Sequence, residues 1–146
     1  MKDVARFLSA GKYALAGVSR DPKKFGHVAF KTLLKKGMDI VPVNPNADEI
    51  EGVKCYNSVN DLSSEIRAII IMTPAEETHG VARNAMAKGI KDIWIQQGSE
   101  SNEVIPELEK EDINLIHHEC ILMFWKPDSI HSFHRFLKKI FGRLPA

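Results

Sequence analysis

Short, mostly apolar runs alternate along this chain with segments in which apolar residues recur every three or four positions. The apolar runs occupy residues 13–18, 40–43, 66–72, 92–95 and 114–117. Between them, segments such as 26–37 and 75–89 have helical spacing and end in glycine. Strands that are buried on both faces and joined by helices form a parallel sheet covered on each side. The pattern therefore predicts an α/β protein with a mostly parallel, five-stranded sheet.

The length and composition are those of one compact domain. With 146 residues, 44% of them hydrophobic, the chain can bury a sizeable core but is too short for two ordinary domains. Its 20 basic and 19 acidic side chains give a formal net charge of +1. Bulk charge therefore gives no reason to expect nucleic acid as a partner. An anionic ligand would have to be bound by a local cluster of cations.

Cysteine usage and the start of the chain predict a cytoplasmic protein. Cys55 and Cys120 are the only cysteines and lie far apart in sequence, as is usual for reduced thiols. The first ten residues include Lys2, Asp3 and Arg6 and lack the apolar run of an export signal. Every apolar run is much shorter than the ~20 residues that span a bilayer, so we expect no membrane partner.

The end of the chain predicts an extra amphipathic helix. Its apolar residues recur at helical spacing, at Ile130, Phe133, Phe136, Leu137, Ile140 and Phe141. We expect residues 1–123 to form the domain and residues 124–146 to form a helical extension. This extension would pack on the same domain or on a second subunit, giving a homodimer or a contact with a partner protein.

The loop after the first strand carries the densest group of anion-binding features. Its sequence is GVSRDPKKFG, residues 17–26, directly before a helix. Gly17 would let the backbone approach a ligand closely, Ser19 offers a hydroxyl, and the helix N-terminus near Gly26 offers N–H groups. The loop also carries three cations, Arg20, Lys23 and Lys24. Because ligands of open α/β sheets bind at the carboxyl ends of strands, this loop predicts a pyrophosphate cradle. The alternative is a solvated loop with ordinary surface charges.

Two common nucleotide signatures are missing from this sequence. The first loop is not G-x-G-x-x-G, and the second strand ends in VNPN, residues 43–46, without the acidic residue that holds an NAD ribose. Both departures count against NAD. The Walker pattern is missing as well, which argues against a P-loop ATPase.

Residues 73–76, Thr-Pro-Ala-Glu, predict the start of the helix that follows the third apolar run. Thr73 is expected to cap this helix, Pro74 to occupy its first turn, and Glu76 to complete a capping box.

Several short motifs together resemble a known family. They are GVSRDP (17–22), VPVNP (41–45), IEG (50–52), SVNDL (58–62), WIQQG (94–98) and the later Cys120. In this order and spacing they are similar to the small stand-alone CoA-binding proteins, which resemble the amino-terminal domain of the succinyl-CoA synthetase alpha subunit. The resemblance covers roughly residues 11–121. It implies a three-layer, Rossmann-like nucleotide-binding fold that holds coenzyme A or an acyl-CoA across the strand ends.

The resemblance also implies where coenzyme A would lie. The pyrophosphate would contact Gly17, Val18, Ser19 and Arg20, together with Lys24, Phe25 and Gly26 at the end of the loop. The adenosine would lie along Asn44 and Pro45, Thr73 and Pro74 would flank the nucleotide or the pantetheine, and Gln97 and Gly98 would border the far edge. Many relatives have a basic residue directly after Asn-Pro, suited to the ribose 3′-phosphate. Here that residue is Asn46, and Lys54 is the nearby alternative cation.

These features favour binding over catalysis. No Ser-His-Asp spacing or paired carboxylate is evident, and the synthetases transfer phosphate through a histidine of a separate ligase domain for which 146 residues leave no room. The sequence therefore predicts non-catalytic binding of coenzyme A or an acyl-CoA. The alternatives are a small NAD(P)-binding oxidoreductase or its regulatory subunit, and an interaction module that dimerises through the aromatic tail.

One histidine-rich segment has the ligand types of a zinc site. Residues 117–120 are His-His-Glu-Cys, and His131 and His134 lie three residues apart farther along. Their spacing matches no common zinc motif, so we predict no metal. We expect His117 to end a strand and Cys120 to be a small buried residue; a redox role for Cys120 with the CoA thiol would need a lowered pKa and exposure.

Overall fold

Five parallel strands form one central sheet in the structure, a computed structural model that describes residues 3–126. In order across the sheet they are β2 (Ile40–Val43), β1 (Tyr13–Ala16), β5 (Ala68–Ile71), β6 (Asp92–Gln96) and β7 (Asn114–Glu119). All four neighbouring pairs are parallel. Two further strands, β3 (Glu49–Ile50) and β4 (Val53–Lys54), form an antiparallel hairpin. The predicted five-stranded parallel sheet is confirmed.

Helices cover both faces of this sheet. They are α1 (Val4–Leu8), α2 (Phe25–Lys35), α3 (Ala75–Ala87) and α4 (Val104–Glu109), with 3-10 turns at Val59–Asp61 and Ile121–Met123. One core cluster joins the sheet to α1 and α2, and a second joins it to α3 and α4. The fold is therefore a three-layer, Rossmann-like α/β fold, as the sequence predicts.

Alternating side chains of β1 illustrate how the two cores are built. Tyr13 and Leu15 belong to the cluster that contains Phe30 of α2, whereas Ala14 belongs to the cluster that contains Ala82 of α3. Successive side chains of a strand point to opposite faces of the sheet. Because helices cover both faces, all four residues of β1 are buried. Burying a large apolar side chain such as Phe30 contributes about 1.5–3 kcal/mol.

The strand order reverses beside β1. The chain passes from β1 to β2 on one side and later returns to place β5 on the other side. In open α/β sheets a cleft forms at such a reversal, outside the carboxyl ends of the strands. The loops after β1, β2 and β5 consequently meet at one edge of the sheet.

Several sequence-based details are wrong. The capping box does not form: Pro74 occupies the N-cap position of α3 with no side-chain cap, and the Thr73 hydroxyl is bonded to Thr78 instead. β1 ends at Ala16 rather than at residue 18, because the next residue, Gly17, has φ +100° and turns the chain out of the sheet. β7 extends two residues beyond the predicted run 114–117, to Glu119.

The start of the predicted C-terminal extension packs on the domain. The Phe124 ring lies 5.4 Å from the Trp94 ring, edge to face, and Trp125 Nε1 donates to the Lys36 carbonyl oxygen at 3.2 Å. The rest of the predicted helix, from residue 127 onward, lies outside the described residues. Within residues 3–126, no helix is long and apolar enough to cross a membrane.

Candidate functional site

A groove of about 380 Å³ opens at the carboxyl ends of β1, β2 and β5, at the reversal of strand order. We call it the carboxyl-edge groove. It is lined by residues 16–19, 43–45 and 57–59, and by Thr73, Pro74, Glu77, Val81 and Asn84. Its position is the one expected for the ligand site of an open α/β sheet.

Seven of the thirteen site residues expected from the sequence line this groove. They are Gly17, Val18, Ser19, Asn44, Pro45, Thr73 and Pro74. The other six, Arg20, Lys24, Phe25, Gly26, Gln97 and Gly98, do not line it and remain predicted contacts. Four of these six continue the first loop into α2, directly beyond the lining residues.

Gly17 is required for packing of the chain on itself. A Cβ at this position would lie 2.5 Å from the Met72 carbonyl carbon and 2.8 Å from the Thr73 nitrogen. A Cβ at Gly26 would similarly lie 2.2 Å from the Gly17 carbonyl oxygen. The two glycines therefore let the first loop, the start of α2 and the end of β5 approach one another closely.

The first loop presents a hydroxyl donor in the groove and carries positive charge on the residues that follow. Arg20, Lys23 and Lys24 are exposed, and none has an ion-pair partner within the described part of the chain. Ser19 Oγ accepts a hydrogen bond from the Asp21 N–H at 3.0 Å, which leaves its own proton free to be donated. No side chain caps the N-terminus of α2, which follows this loop.

Asn44 holds two loops together. Its Nδ2 donates to the Val18 carbonyl oxygen at 2.7 Å, and its Oδ1 accepts from the Asn46 N–H at 2.7 Å. Asn57 Nδ2 donates to the Asn44 carbonyl oxygen at 3.1 Å. Asn44 therefore shapes the wall of the groove chiefly by fixing the backbone at Val18 and Asn46.

Thr73 lies in a chain of hydroxyl groups. Thr78 Oγ1 donates its proton to the Ser99 carbonyl oxygen at 2.8 Å, so the 3.0 Å bond between the two threonines uses the proton of Thr73. The Thr73 oxygen keeps lone pairs for a ligand but has no proton left to donate. It is suited to an amide or hydroxyl group of a ligand, rather than to a phosphate.

The loop after β6, which contains Gln97 and Gly98, is bonded to its own surroundings. The Gln97 N–H donates to the Glu119 carbonyl oxygen at 3.1 Å, and the Gly98 N–H donates to Glu100 Oε1 at 2.8 Å. Both backbone donors are therefore occupied, and any contact of this loop with a ligand would use the side chain of Gln97 or the carbonyl groups.

Two other groups of residues line the groove without having been predicted. One group, residues 57–59, follows the β3–β4 hairpin, and the other comprises Glu77, Val81 and Asn84 of α3. The α3 residues could have been found, because spacings of four and three residues place them on one face of the helix that follows β5. The position of the hairpin gives no comparable sequence signal.

Neither of the two residues considered for a ribose phosphate, Asn46 and Lys54, lines the groove. Asn46 is exposed beside Asn44, and Lys54 Nζ lies 5.2 Å from the centre of the Tyr56 ring.

Both cysteines are free and buried. Burial raises the pKa of the Cys120 thiol, an effect that the neighbouring Gln96 side chain partly offsets, and burial likewise raises the pKa of Cys55. Neither thiol has the environment of a reactive thiolate.

The predicted histidine segment lies at the end of β7. His117 Nδ1 and His118 Nδ1 are 2.5 Å apart, and within residues 3–126 no group of three or more His, Cys, Asp or Glu side chains could hold a metal ion. His131 and His134 lie outside the described residues.

The doubly wound sheet and the groove at its strand reversal define a Rossmann-like ligand-binding domain. The model of the CoA binding domain matches residues 11–126, so this chain belongs to the CoA-binding domain family. The resemblance inferred from the sequence is thereby confirmed.

Relatives include both long ligase chains and short proteins. The acetate–CoA ligase [ADP-forming] II subunit alpha of Pyrococcus furiosus is 32% identical over 114 residues, an alignment that covers 76% of this chain and 25% of the ligase subunit. This chain thus spans about a quarter of that relative. A solved structure of a conserved hypothetical protein from Pyrococcus furiosus is 42% identical, with a TM-score of 0.73, and the match covers 77% of this chain and 97% of that one.

A third match is a solved complex. The dinucleotide-forming acetyl-coenzyme A synthetase 1 of Candidatus Korarchaeum cryptofilum, in complex with phosphate and ADP, is 27% identical with a TM-score of 0.68. The match covers 79% of this chain and 27% of the synthetase. This chain is therefore similar to one portion of such synthetases.

Proposed function

We propose that this chain binds coenzyme A or an acyl-CoA in the carboxyl-edge groove and performs no catalytic step of its own. Membership of the CoA-binding domain family supports the ligand. The observation that carries the proposal is the set of three exposed cations on the first loop that have no ion-pair partner within residues 3–126. The same loop lines the groove through residues 17–19.

The pyrophosphate is assigned to the first loop because its donors and charges suit a polyanion. The Ser19 hydroxyl can donate a proton, Arg20 and Lys24 supply positive charge, and the uncapped start of α2 supplies N–H groups at the positive end of a helix dipole. Such charge-assisted hydrogen bonds are about twice as strong as neutral ones.

The opposite wall of the groove suits the less charged parts of the ligand. Glu77 would repel a phosphate but can accept from a hydroxyl or amino group, and Thr73 can accept from an amide. Val59 and Val81 provide apolar surface for an adenine ring or a pantetheine chain. The ligand would therefore lie with its phosphates on the first loop and its neutral groups towards α3.

Recognition of the 3′-phosphate is expected to be weak. Asn46 has no charge, and Lys54 lies over Tyr56 rather than in the groove. Dephospho-CoA should consequently bind almost as well as CoA.

Transfer chemistry is assigned to a partner. This chain spans 25% of the ligase subunit to which it is similar. Bound CoA would be presented, in the cytoplasm, to a partner protein or to a second copy of this chain.

Calorimetric titration with CoA, acetyl-CoA, dephospho-CoA, NAD and NADP tests the proposal. We expect binding of the three CoA compounds and little heat from NAD or NADP. Binding of NAD without CoA would overturn the proposal in favour of a small NAD(P)-binding oxidoreductase or regulatory subunit. Release of thiol from acetyl-CoA by the protein alone would overturn the non-catalytic assignment.

A further inference from the structure

His27 is buried between two hydrogen-bond acceptors. It is the third residue of α2, and only 7% of its side chain is exposed. Its Nδ1 lies 2.7 Å from the Ser19 carbonyl oxygen, and its Nε2 lies 2.8 Å from Glu51 Oε2. A neutral imidazole has a single N–H and can donate to only one of two acceptors. When Glu51 is ionised, a ring that is bonded to both acceptors carries a proton on each nitrogen.

Glu51 is ionised in this arrangement. Its pKa lies below its usual value, first because of the hydrogen bond from His27 and then because of the nearby Lys31 and Lys35 on α2. The hairpin thus contributes a carboxylate, α2 contributes two ammonium groups, and the first loop contributes the neutral carbonyl of Ser19. A carboxylate only accepts hydrogen bonds, which agrees with a doubly protonated ring.

The backbone of Glu51 is strained. Glu51 and Gly52 connect β3 to β4 with φ values of +52° and +78°, the signs of a type I′ turn. Asn, Asp or Gly is usual at the first of these positions, and the left-handed backbone is unfavourable for a glutamate. The Glu51 side chain reaches His27, and a shorter residue in this turn would lack that contact.

We propose that His27 is a positioning residue which, as an imidazolium ion, holds the first loop in its ligand-binding shape. One ring nitrogen fixes the Ser19 carbonyl, and the other anchors the ring to the β3–β4 hairpin. The backbone of Ser19 is thereby fixed at the point where its hydroxyl and the neighbouring Arg20 would meet a phosphate. The role of His27 towards CoA rests on the proposed function, whereas its protonation state does not.

The bridge should exist only between two pH limits. As the pH rises and the ring loses a proton, one nitrogen faces an acceptor with a lone pair, and the contact with Ser19 or with Glu51 is lost. The acidic limit is set by Glu51, whose pKa is lower in the folded protein than in the unfolded chain. Its contribution to stability is fully present above the unfolded-state pKa and is lost as the pH falls through the folded-state pKa. Affinity for CoA should follow the same window.

Calorimetric titration of CoA across pH, with three variants, tests this role. The unmodified protein should lose about tenfold in affinity as His27 is deprotonated, the equivalent of one charge-assisted hydrogen bond. In Glu51→Gln the new amide can donate to a neutral ring, or its oxygen can accept from a charged one, so the pH profile should become flatter. His27→Gln should bind about tenfold more weakly throughout.

His79→Gln is the matched control, because His79 pairs with Glu107 on the surface, away from the groove. It should retain the affinity and pH profile of the unmodified protein. A flat profile for the unmodified protein, or an unchanged profile for Glu51→Gln, would overturn the role of His27. If His27→Gln does not fold, the Glu51→Gln comparison still decides the matter.

Nitrogen NMR of the histidine rings in the ligand-free protein tests the protonation state separately. We expect protons on both nitrogens of His27 in the native protein, because each ring nitrogen faces an acceptor oxygen. A neutral ring with one N–H would overturn the inference whether or not CoA binds. A doubly protonated ring in a protein that does not bind CoA would overturn the proposed function, and with it the role of His27 towards CoA, while leaving the charged bridge intact.

Discussion

The two edges of the central sheet use polar residues in different ways. At the amino edge, buried Asp92 and Asn114 are bonded to each other at 2.9 Å, and Arg6 Nε lies 3.1 Å from Asp92 Oδ1. At the carboxyl edge, Arg20 and its neighbouring lysines have no ion-pair partner within residues 3–126. The amino edge therefore stabilises the fold with the same kinds of groups that the carboxyl edge leaves available to a ligand.

Cavity size alone would favour the amino edge over the proposed site. A hollow of about 520 Å³ at the amino edge is larger than the carboxyl-edge groove and is lined by four cations, Arg6, Arg67, Lys88 and Lys91. Three of them are engaged: Arg6 with Asp92, Lys91 with Asp112 at 3.6 Å, and Lys88 with the Asn60 carbonyl at 3.2 Å. Free hydrogen-bonding capacity, combined with the reversal of strand order, is the better guide to a binding site.

The largest effect on stability is expected from a substitution that adds a side-chain atom where Gly17 lies close to the Met72 backbone. Gly17→Ala would place a Cβ 2.5 Å from the Met72 backbone at a positive φ, so we expect a loss of at least about 3 kcal/mol or a failure to fold. Urea unfolding followed by circular dichroism measures this loss.

Gly80→Ala is the control for that substitution. Gly80 lies within α3 with open space beside it, so alanine should stabilise the protein by about 0.5–1 kcal/mol. Equal stability of the two variants would mean that the carboxyl edge is not closely packed at Gly17.

A smaller loss of stability is expected at the amino edge. Asn114→Ala would remove the bonds to Asp92 and to the Asp3 backbone, leaving a buried carboxylate oxygen with one partner fewer, at a cost of about 2–3 kcal/mol. Urea unfolding measures the cost, and calorimetry should show unchanged affinity for CoA. A weaker affinity would contradict the division of roles between the two edges.

A cation removed from the first loop should affect binding but not stability. Arg20→Ala is expected to weaken CoA binding about fivefold, or about 1 kcal/mol, with an effect that diminishes at high salt. Arg67→Ala, an exposed arginine at the amino edge, is the matched control and should bind normally. If both variants bind equally well, Arg20 is not a ligand contact.

The smallest effect on affinity is expected for the buried thiol after β7. Because burial raises the pKa of Cys120, iodoacetamide should modify it slowly at neutral pH in the native protein and quickly in urea. Cys120→Ala should bind CoA normally. Mass spectrometry would locate the labelled residue. Rapid labelling of Cys120 in the native protein would show that this thiol is accessible and reactive, and so is among the groups that the carboxyl edge leaves available.

Much of the fold could be predicted from the sequence, because its signals are local. Apolar runs identified all five strands of the sheet, and β2 was predicted at its observed bounds. The capping box at Thr73 was wrong because the competing partner, Thr78, lies on the first turns of α3 and becomes accessible only in the folded loop. A capping motif describes what a side chain can reach and does not exclude other partners.

The candidate site was predicted only in part. The loops that follow β1, β2 and β5 could be identified, because a parallel sheet brings their carboxyl ends together. The contribution of residues 57–59 depends on the position of the hairpin, and the partner of His27 depends on the turn at Glu51. Those contacts join residues that lie far apart in sequence, so the spacing of apolar residues along the chain does not predict them.

The sequence by itself determined the layers, the family and the loop that carries the positive charge, because strand burial, helical spacing and short motifs are properties of neighbouring residues. The tertiary structure alone decided which polar groups remain available to a ligand. Asn44 and Gly17 are predicted ligand contacts that line the groove, and only the structure shows that one also fixes Val18 and the other makes room for Met72. A hydrogen bond or a close approach depends on the distance between atoms, and that distance is set only when the whole chain has packed.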